Sequence, residues 1–194
     1  MVLLDRLSGT VTPSFFIQNI WLVMLTTPSA RGTSLNFLSR RLPKMNADEG
    51  RPMLSTDDIY TDIGLRLTDI TAIVGRDIGL MVRAFAAALE DENLLVRRSA
   101  LDLLLHALRV DSVAIRRAHA DDQAILMRAA TGVVLRRDLS LNRRLYNWLL
   151  GPDDKPEHQV AYLKNNALEL LRTTLEVGVN PYLATARNSC RWLE

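Results

Sequence analysis

The chain has 194 residues, of which 48% are hydrophobic and 24% charged, with a net charge of +2. Such a composition excludes a disordered or low-complexity chain and allows one sizeable core or two small ones. Bases and acids nearly balance, so no global field argues for nucleic acid, even though the sequence pI is near 8.9.

The opening "MVLLDRLSG" carries an acid and a base inside its apolar run, unlike a signal peptide. Thr12 before Pro13 reads as an N-cap followed by proline at the first helical position, and predicts a helix to about Thr26. Its most hydrophobic window, Phe15 to Leu25, is broken by Gln18 and Asn19. It is also shorter than the roughly 20 apolar residues a bilayer requires, so a soluble chain is expected. Pro28 starts a second helix carrying Leu35, Phe37, Leu38 and Leu42, and Pro43 stops it. Residues 43–57 lack periodicity and contain two prolines and a glycine, which predicts an irregular loop. A weaker helix is expected over 58–71 despite Gly64. "RDIGLMVRAFAAALEDE" reads as a strong helix with Leu80, Met81, Ala84, Phe85, Ala88 and Leu89 on its apolar face.

Asn93 then caps a helix through Leu108 that is apolar on most sides, with Arg98, Asp102, His106 and Arg109 forming its polar stripe. Further helices are expected at about 121–137, 140–150, 157–177 and 181–193. No segment alternates like a strand, so the expected class is all-α. Arg97-Arg98 recurs as Arg143-Arg144 at an offset of about 46, inside the roughly 40–47-residue period of HEAT and armadillo units. Arg31, Leu35, Phe37 and Leu38 give a third copy, displaced further by about the length of the 43–57 loop. A helix pair of this kind cannot bury its apolar face alone, and neighbours stack into an α-solenoid. The expected organisation is a single HEAT/armadillo-like segment of antiparallel helix pairs over 1–194.

Three stretches carry a specific resemblance. "PSFFIQNIWLVMLTTPSARGTSLNFLSRRLPKM", "ALEDENLLVRRSALDLLLHAL" and "VVLRRDLSLNRRLYNWLLG" resemble successive blocks of the N-terminal domain of the Dopey family, very large cytosolic proteins of the Golgi and endosomes. They come in family order and cover most of residues 13–151. The resemblance implies a non-enzymatic scaffold or adaptor segment in endosome–Golgi membrane traffic, with no cofactor. It implies a cytoplasmic protein, peripheral on Golgi and endosome membranes. The implied partners are a large Arf-exchange-factor-like Golgi scaffold, an aminophospholipid flippase and a phosphoinositide-bearing membrane surface. The chain is far shorter than the family, so it is expected to be a fragment, a truncated product or a reduced relative. Raw ends should then expose Val2, Leu3, Leu4, Trp192 and Leu193 and promote self-association.

The segment "RRDLSLNRR" holds the candidate site residues. In the structural reading, Arg136 and Arg137 end one helix, where cations complement free carbonyls. Asp138 or Ser140 caps the next, and Asp138 pairs with Arg143 or Arg144 across the turn. In the functional reading, Arg136, Arg137, Arg143 and Arg144 form an anion site for an acidic partner or a phosphoinositide headgroup such as phosphatidylinositol 4-phosphate. The structural reading is preferred. Elsewhere, His106 is expected to pair with Asp102 one turn away. His106, His119 and His158 lack metal-ligand spacing, and the lone Cys190 rules out an intramolecular disulfide framework and fits a reducing compartment. The acid pairs Asp121-Asp122 and Asp153-Asp154, like Asp57-Asp58, are assigned to caps and loops. Trp21, Trp148 and Trp192 are assigned to packing. No nucleophile elbow, Walker loop or dinucleotide fingerprint is present, so no catalytic or metal residue is named.

Overall fold

The computed structural model of the chain describes residues 2–42 and 77–179, and every regular element among them is helical. The loop expected at 43–57, the helices expected at 58–71 and 181–193, and Cys190, Trp192 and Leu193 lie outside the described residues. In chain order the helices are α1 (Val2–Thr10), α2 (Pro13–Thr26), α3 (Arg31–Arg41), α4 (Ile78–Leu89), α5 (Leu94–Ala107), α6 (Val113–Arg117), α7 (Ala120–Gly132), α8 (Leu139–Leu150), α9 (Pro156–Tyr162) and α10 (Leu168–Val179). Short 3-10 turns precede α3 and follow α7, and a π turn over Leu163–Ala167 joins α9 to α10. The expected helix over 157–177 is therefore present, with one wide turn inside it.

Local chemistry sets the helix starts. Proline stands at the beginning of α2 and α9, where its missing N–H costs nothing. Asp77, Asn93, Ser112 and Asp138 each accept a hydrogen bond from an otherwise free N–H at the start of α4, α5, α6 and α8. His119 caps α7 in the same way, its Nδ1 accepting from the Asp121 N–H. Helices α1 and α6 were not among the expected elements. Each is short, but Ser112 ahead of Val113-Ala114-Ile115 is the cap signal that marks α6.

Packing arranges the helices in two rows. One row runs α2, α4, α7, α10, and the other runs α3, α5, α8, with α4 also touching α5 and α2 also touching α3. Helix α4 is thus enclosed by α2, α5 and α7. Its alanines explain why: Ala84, Ala86 and Ala88 are buried and let three neighbours approach closely. Gly79 on the same helix has no room for a side chain, because a Cβ would sit 2.2 Å from Asp122 Oδ2. Trp21 of α2 and Phe85 of α4 meet with ring centroids 5.5 Å apart, in a core that continues through Met81, Leu101, Leu104, Leu126 and Trp148. Trp148 is also tied by polarity, donating its indole N–H to the Leu108 carbonyl at 2.9 Å. Leu4, expected to be exposed, is half-buried against this core, while the side chains of Val2 and Leu3 are not described.

Neighbouring helices of a row are stapled by ion pairs at nearly constant sequence separation. Arg83 of α4 reaches Asp122 of α7 across 39 positions, and Arg98 of α5 reaches Asp138 at the start of α8 across 40. Asp102 of α5 and Arg144 of α8 pair across 42. Both helices of the last two pairs advance together, so α5 and α8 lie parallel. The 46-residue offset of the Arg-Arg letters carries a shared role only at the second arginine, since Arg98 and Arg144 both staple α5 to α8. Arg97 is buried on backbone carbonyls, whereas Arg143 is exposed.

Candidate functional site

Three turns line one edge of the molecule, each leading into a helix of the second row: Thr27–Ala30 into α3, Glu90–Asn93 into α5, and Arg137–Asp138 into α8. Arg31 ties the first to the second. Its Nε donates to the Met24 carbonyl and its Nη1 to Asp91 Oδ2, both at 2.8 Å, with the pair only 13% and 10% exposed. The other Asp91 oxygen accepts from the Asn93 N–H at 2.8 Å. Burial raises the Asp91 pKa, but the Arg31 hydrogen bond and the Asn93 N–H outweigh it and leave the carboxyl below its usual value. Arg97 closes the turn from inside, its Nη1 donating to the carbonyls of Asp91 at 2.5 Å and Glu92 at 3.2 Å.

At the third turn, Asp138 is the N-cap of α8. Its Oδ1 accepts from the Ser140 and Leu141 N–H groups at 2.9 and 3.0 Å and from the Ser140 hydroxyl at 2.6 Å. Its other oxygen meets Arg98 at 3.3 Å. The Ser140 hydroxyl, the Leu141 N–H and the Arg98 charge lower its pKa to about 2. The expected partners of Asp138 are therefore corrected. It pairs with Arg98 of the neighbouring helix, because α8 carries Arg143 and Arg144 away from its own N-cap. Arg144 instead donates to Asp102 Oδ1 at 2.5 Å and to the Ser140 carbonyl at 3.1 Å. Asp102, assigned from its spacing to His106, is thus held by Arg144.

The four candidate arginines consequently separate. Arg144 belongs to the staple between α5 and α8. Arg136, Arg137 and Arg143 are exposed and make no ion pair or side-chain hydrogen bond with other described residues. Arg137 holds a left-handed backbone (φ 54), which turns the chain from the 3-10 segment into α8. Beside these bases stand Leu135 and Leu139, the most exposed large apolar side chains among the described residues. The sequence pattern assigned charges to this turn without revealing that its leucines face outward.

Other assigned groups are structural in new ways. Asp122, read as a helix-start acid, is buried and bridges to Arg83 at 3.2 Å, while Arg83 also meets Asp77 at 3.2 Å. Asp153 accepts from the Lys155 N–H and meets His158 Nδ1, and that histidine contact lowers its pKa. Gly151 ends α8 at φ 84, and a Cβ there would lie 2.8 Å from the Tyr162 ring. The same ring meets Arg109, whose guanidinium sits 5.3 Å from the centroid. A groove of about 770 Å³ runs between α3 and α5, floored by Leu35, Val96 and Leu103 and walled by Asn36, Ser39 and Ser99. Among the described residues no group of three His, Cys, Asp or Glu side chains is placed to hold a metal ion, and no helix is long and apolar enough to cross a membrane.

Comparison with known proteins agrees with the motifs. The family model described as "Dopey, N-terminal" matches residues 1–154. Protein dop1 of Emericella nidulans is 41% identical over 141 residues, covering 72% of this chain and 8% of the relative. Protein DOP1 of Saccharomyces cerevisiae is 34% identical, covering 72% and 10%, and protein DOP1B of Mus musculus is 37% identical, covering 79% and 6%. None of these names states a catalytic activity, and the chain spans a tenth or less of each relative. No solved structure matches it. With the family model covering most of its length, and Arg98, Asp138 and Gly151 of the matched region placed at the staples and caps described above, the chain belongs to the Dopey family.

Proposed function

We propose that the chain is a non-enzymatic, HEAT-like α-solenoid segment that serves as a scaffold or adaptor in membrane traffic between endosomes and the Golgi. The observation that carries this reading is the pair of helix rows stapled by Arg83–Asp122, Arg98–Asp138 and Arg144–Asp102. A stack in which each unit contacts its neighbours displays its turns and outer helices as an extended surface, which suits protein–protein contact. The charged side chains in its interior are spent on caps and cross-ties. The cellular setting proposed with it is that of a cytoplasmic protein, peripheral on Golgi and endosome membranes. The partners proposed are a large Arf-exchange-factor-like scaffold and an aminophospholipid flippase.

A capture experiment tests this. The chain, immobilised and shown folded by circular dichroism, should retain the exchange-factor-like scaffold from cell extract. Failure to retain it under conditions where a full-length relative does would overturn the scaffold role for this segment. Flotation with vesicles containing phosphatidylinositol 4-phosphate, in the absence of any captured protein, would assign the surface to lipid instead.

A further inference from the structure

A hydroxyl sits among the arginines of the α7–α8 turn. Ser140 Oγ donates to Asp138 Oδ1 at 2.6 Å, and the other oxygen of that carboxylate meets Arg98 at 3.3 Å. Arg144 donates to the Ser140 carbonyl at 3.1 Å, which brings a second guanidinium to the same residue. Arg143 stands three positions after Ser140 on α8, on the face that such positions share. It is exposed and meets no carboxylate among the described residues. Three arginines thus surround this hydroxyl, and one of them holds no anion.

The chain ahead of Ser140 carries a matching pattern. Arg137 precedes it by three positions and Arg136 by four, the placement of bases that arginine-selecting serine kinases read. Residues 134–137 are exposed, in a 3-10 turn that ends at Arg136 and a left-handed Arg137. Only the first turn of α8 has to open for Ser140 to enter a kinase cleft. Arginine also stands three positions ahead of Ser34, Ser112 and Thr131. Ser34 and Ser112 are buried, and Thr131 lies inside α7 with its hydroxyl donating to the Met127 carbonyl. Of these four, Ser140 is the one reached through an exposed, non-α-helical approach.

We propose that Ser140 is a phosphorylation site and that Arg98, Arg143 and Arg144 cradle its phosphate. A basophilic serine kinase supplies the γ-phosphoryl group of ATP. The bond from Ser140 Oγ to that phosphorus forms, the bond from it to the β,γ-bridging oxygen breaks, ADP leaves, and the hydroxyl proton passes to the kinase's base. The product carries close to two negative charges and three acceptor oxygens where a neutral donor stood. Asp138 loses its hydrogen bond from the hydroxyl and gains a like charge beside it. Arginine forks match phosphate oxygens, so Arg98 and Arg144 turn from their aspartates to the phosphate, and Arg143 joins them. The link between α5 and α8 then runs through one anion on Ser140 instead of two carboxylates. Ser140 is a target whether or not the chain serves as a scaffold.

Labelling and phosphorus NMR test it. The folded 194-residue chain, and a peptide spanning residues 132–146, are each incubated with Mg-ATP and a purified serine kinase that selects arginine three positions ahead of its target. Mass spectrometry should place one phosphoryl group of the folded chain on Ser140. Ser140→Ala, which leaves the backbone N–H groups to Asp138, should lose that label, and Arg137→Ala should slow it at least about tenfold. Circular dichroism of each variant will show that the fold is kept. The phosphate of the folded chain should then hold its second proton at least about tenfold more weakly than that of the phosphorylated peptide, because arginines favour the dianion. Arg143→Ala should remove part of that difference. A peptide that is not labelled, a peptide labelled while the folded chain is not, or a phosphate with the same proton affinity in chain and peptide would each overturn the proposal.

Discussion

At the α4–α5 turn, Arg31 and Arg97 are drawn inward onto Asp91 and the carbonyls around it, leaving Glu90 and Glu92 as the turn's exposed charges. At the α7–α8 turn, Asp138 is held by Arg98 from the neighbouring helix in a longer, better solvated pair, and the turn's own Arg136 and Arg137 remain outside. Both turns contain an aspartate, arginines and a cap. They differ in which helix provides the arginine. Arg31 arrives from α3 and Arg97 from within α5, so the earlier turn is saturated from both sides. The later turn receives one arginine from behind, and its remaining bases meet no carboxylate among the described residues. Arginine pairs of identical appearance thus hold the fold in one place and furnish surface in the other.

The largest break in this comparison should come from Asp91→Ala. It strands the enclosed Arg31 and frees the Asn93 N–H, and should cost about 3 kcal/mol of stability, measured by denaturant unfolding, as removal of one partner of an enclosed pair does. Asp138→Ala removes a cap and a cross-helix contact that are better solvated. Its melting midpoint should fall by a few degrees, the scale of a lost N-cap in a chain of this size. If Asp138→Ala proves as damaging as Asp91→Ala, the two turns are energetically alike and the contrast fails.

Acid titration sharpens the same contrast. Both carboxyls have folded-state pKa values below the ordinary value of 3.8, so each contributes stability that is fully present above that pH. The contribution is lost as pH falls through the folded-state value, which for Asp138 is about 2. Wild-type stability should therefore decline between about pH 4 and pH 2, and Asp138→Ala should flatten part of that decline. An unchanged slope would show that the cap is not carried by the ionised form.

Smaller effects follow at the exposed arginines. Arg137→Gly relieves a left-handed backbone at the cost of unfolded-state freedom, and should raise stability by no more than about 1 kcal/mol. Arg143→Ala should leave stability within about 0.5 kcal/mol of wild type, as expected for an exposed position that pairs with no described residue. A marked loss from Arg143→Ala would place that residue with the staples rather than the free bases.

Helix by helix, much of this molecule could be read from its residues. Prolines at first positions, Asn93 and Asp138 before apolar periodic runs, and the absence of strand alternation depend only on short-range chemistry, and they specify the all-α class and most helix starts. Trp21 and Trp148 could be assigned to the core for the same reason. The family blocks were legible because their letters are consecutive. The partners of the charges were not legible, because a carboxylate is satisfied by whatever arginine the packing delivers. Asp138 looked toward Arg143 and Arg144 in the sequence and meets Arg98 in space; Asp102 looked toward His106 and meets Arg144. Nor could periodicity say that Leu135 and Leu139 face solvent, since a 3-10 turn and one left-handed residue re-aim the chain there. Local hydrogen-bonding and hydrophobic patterning, which act over a few residues, determined the elements. Tertiary structure alone decided which arginines became staples and which became surface, because ion pairs between parallel helices depend on a register set by core packing some forty residues away.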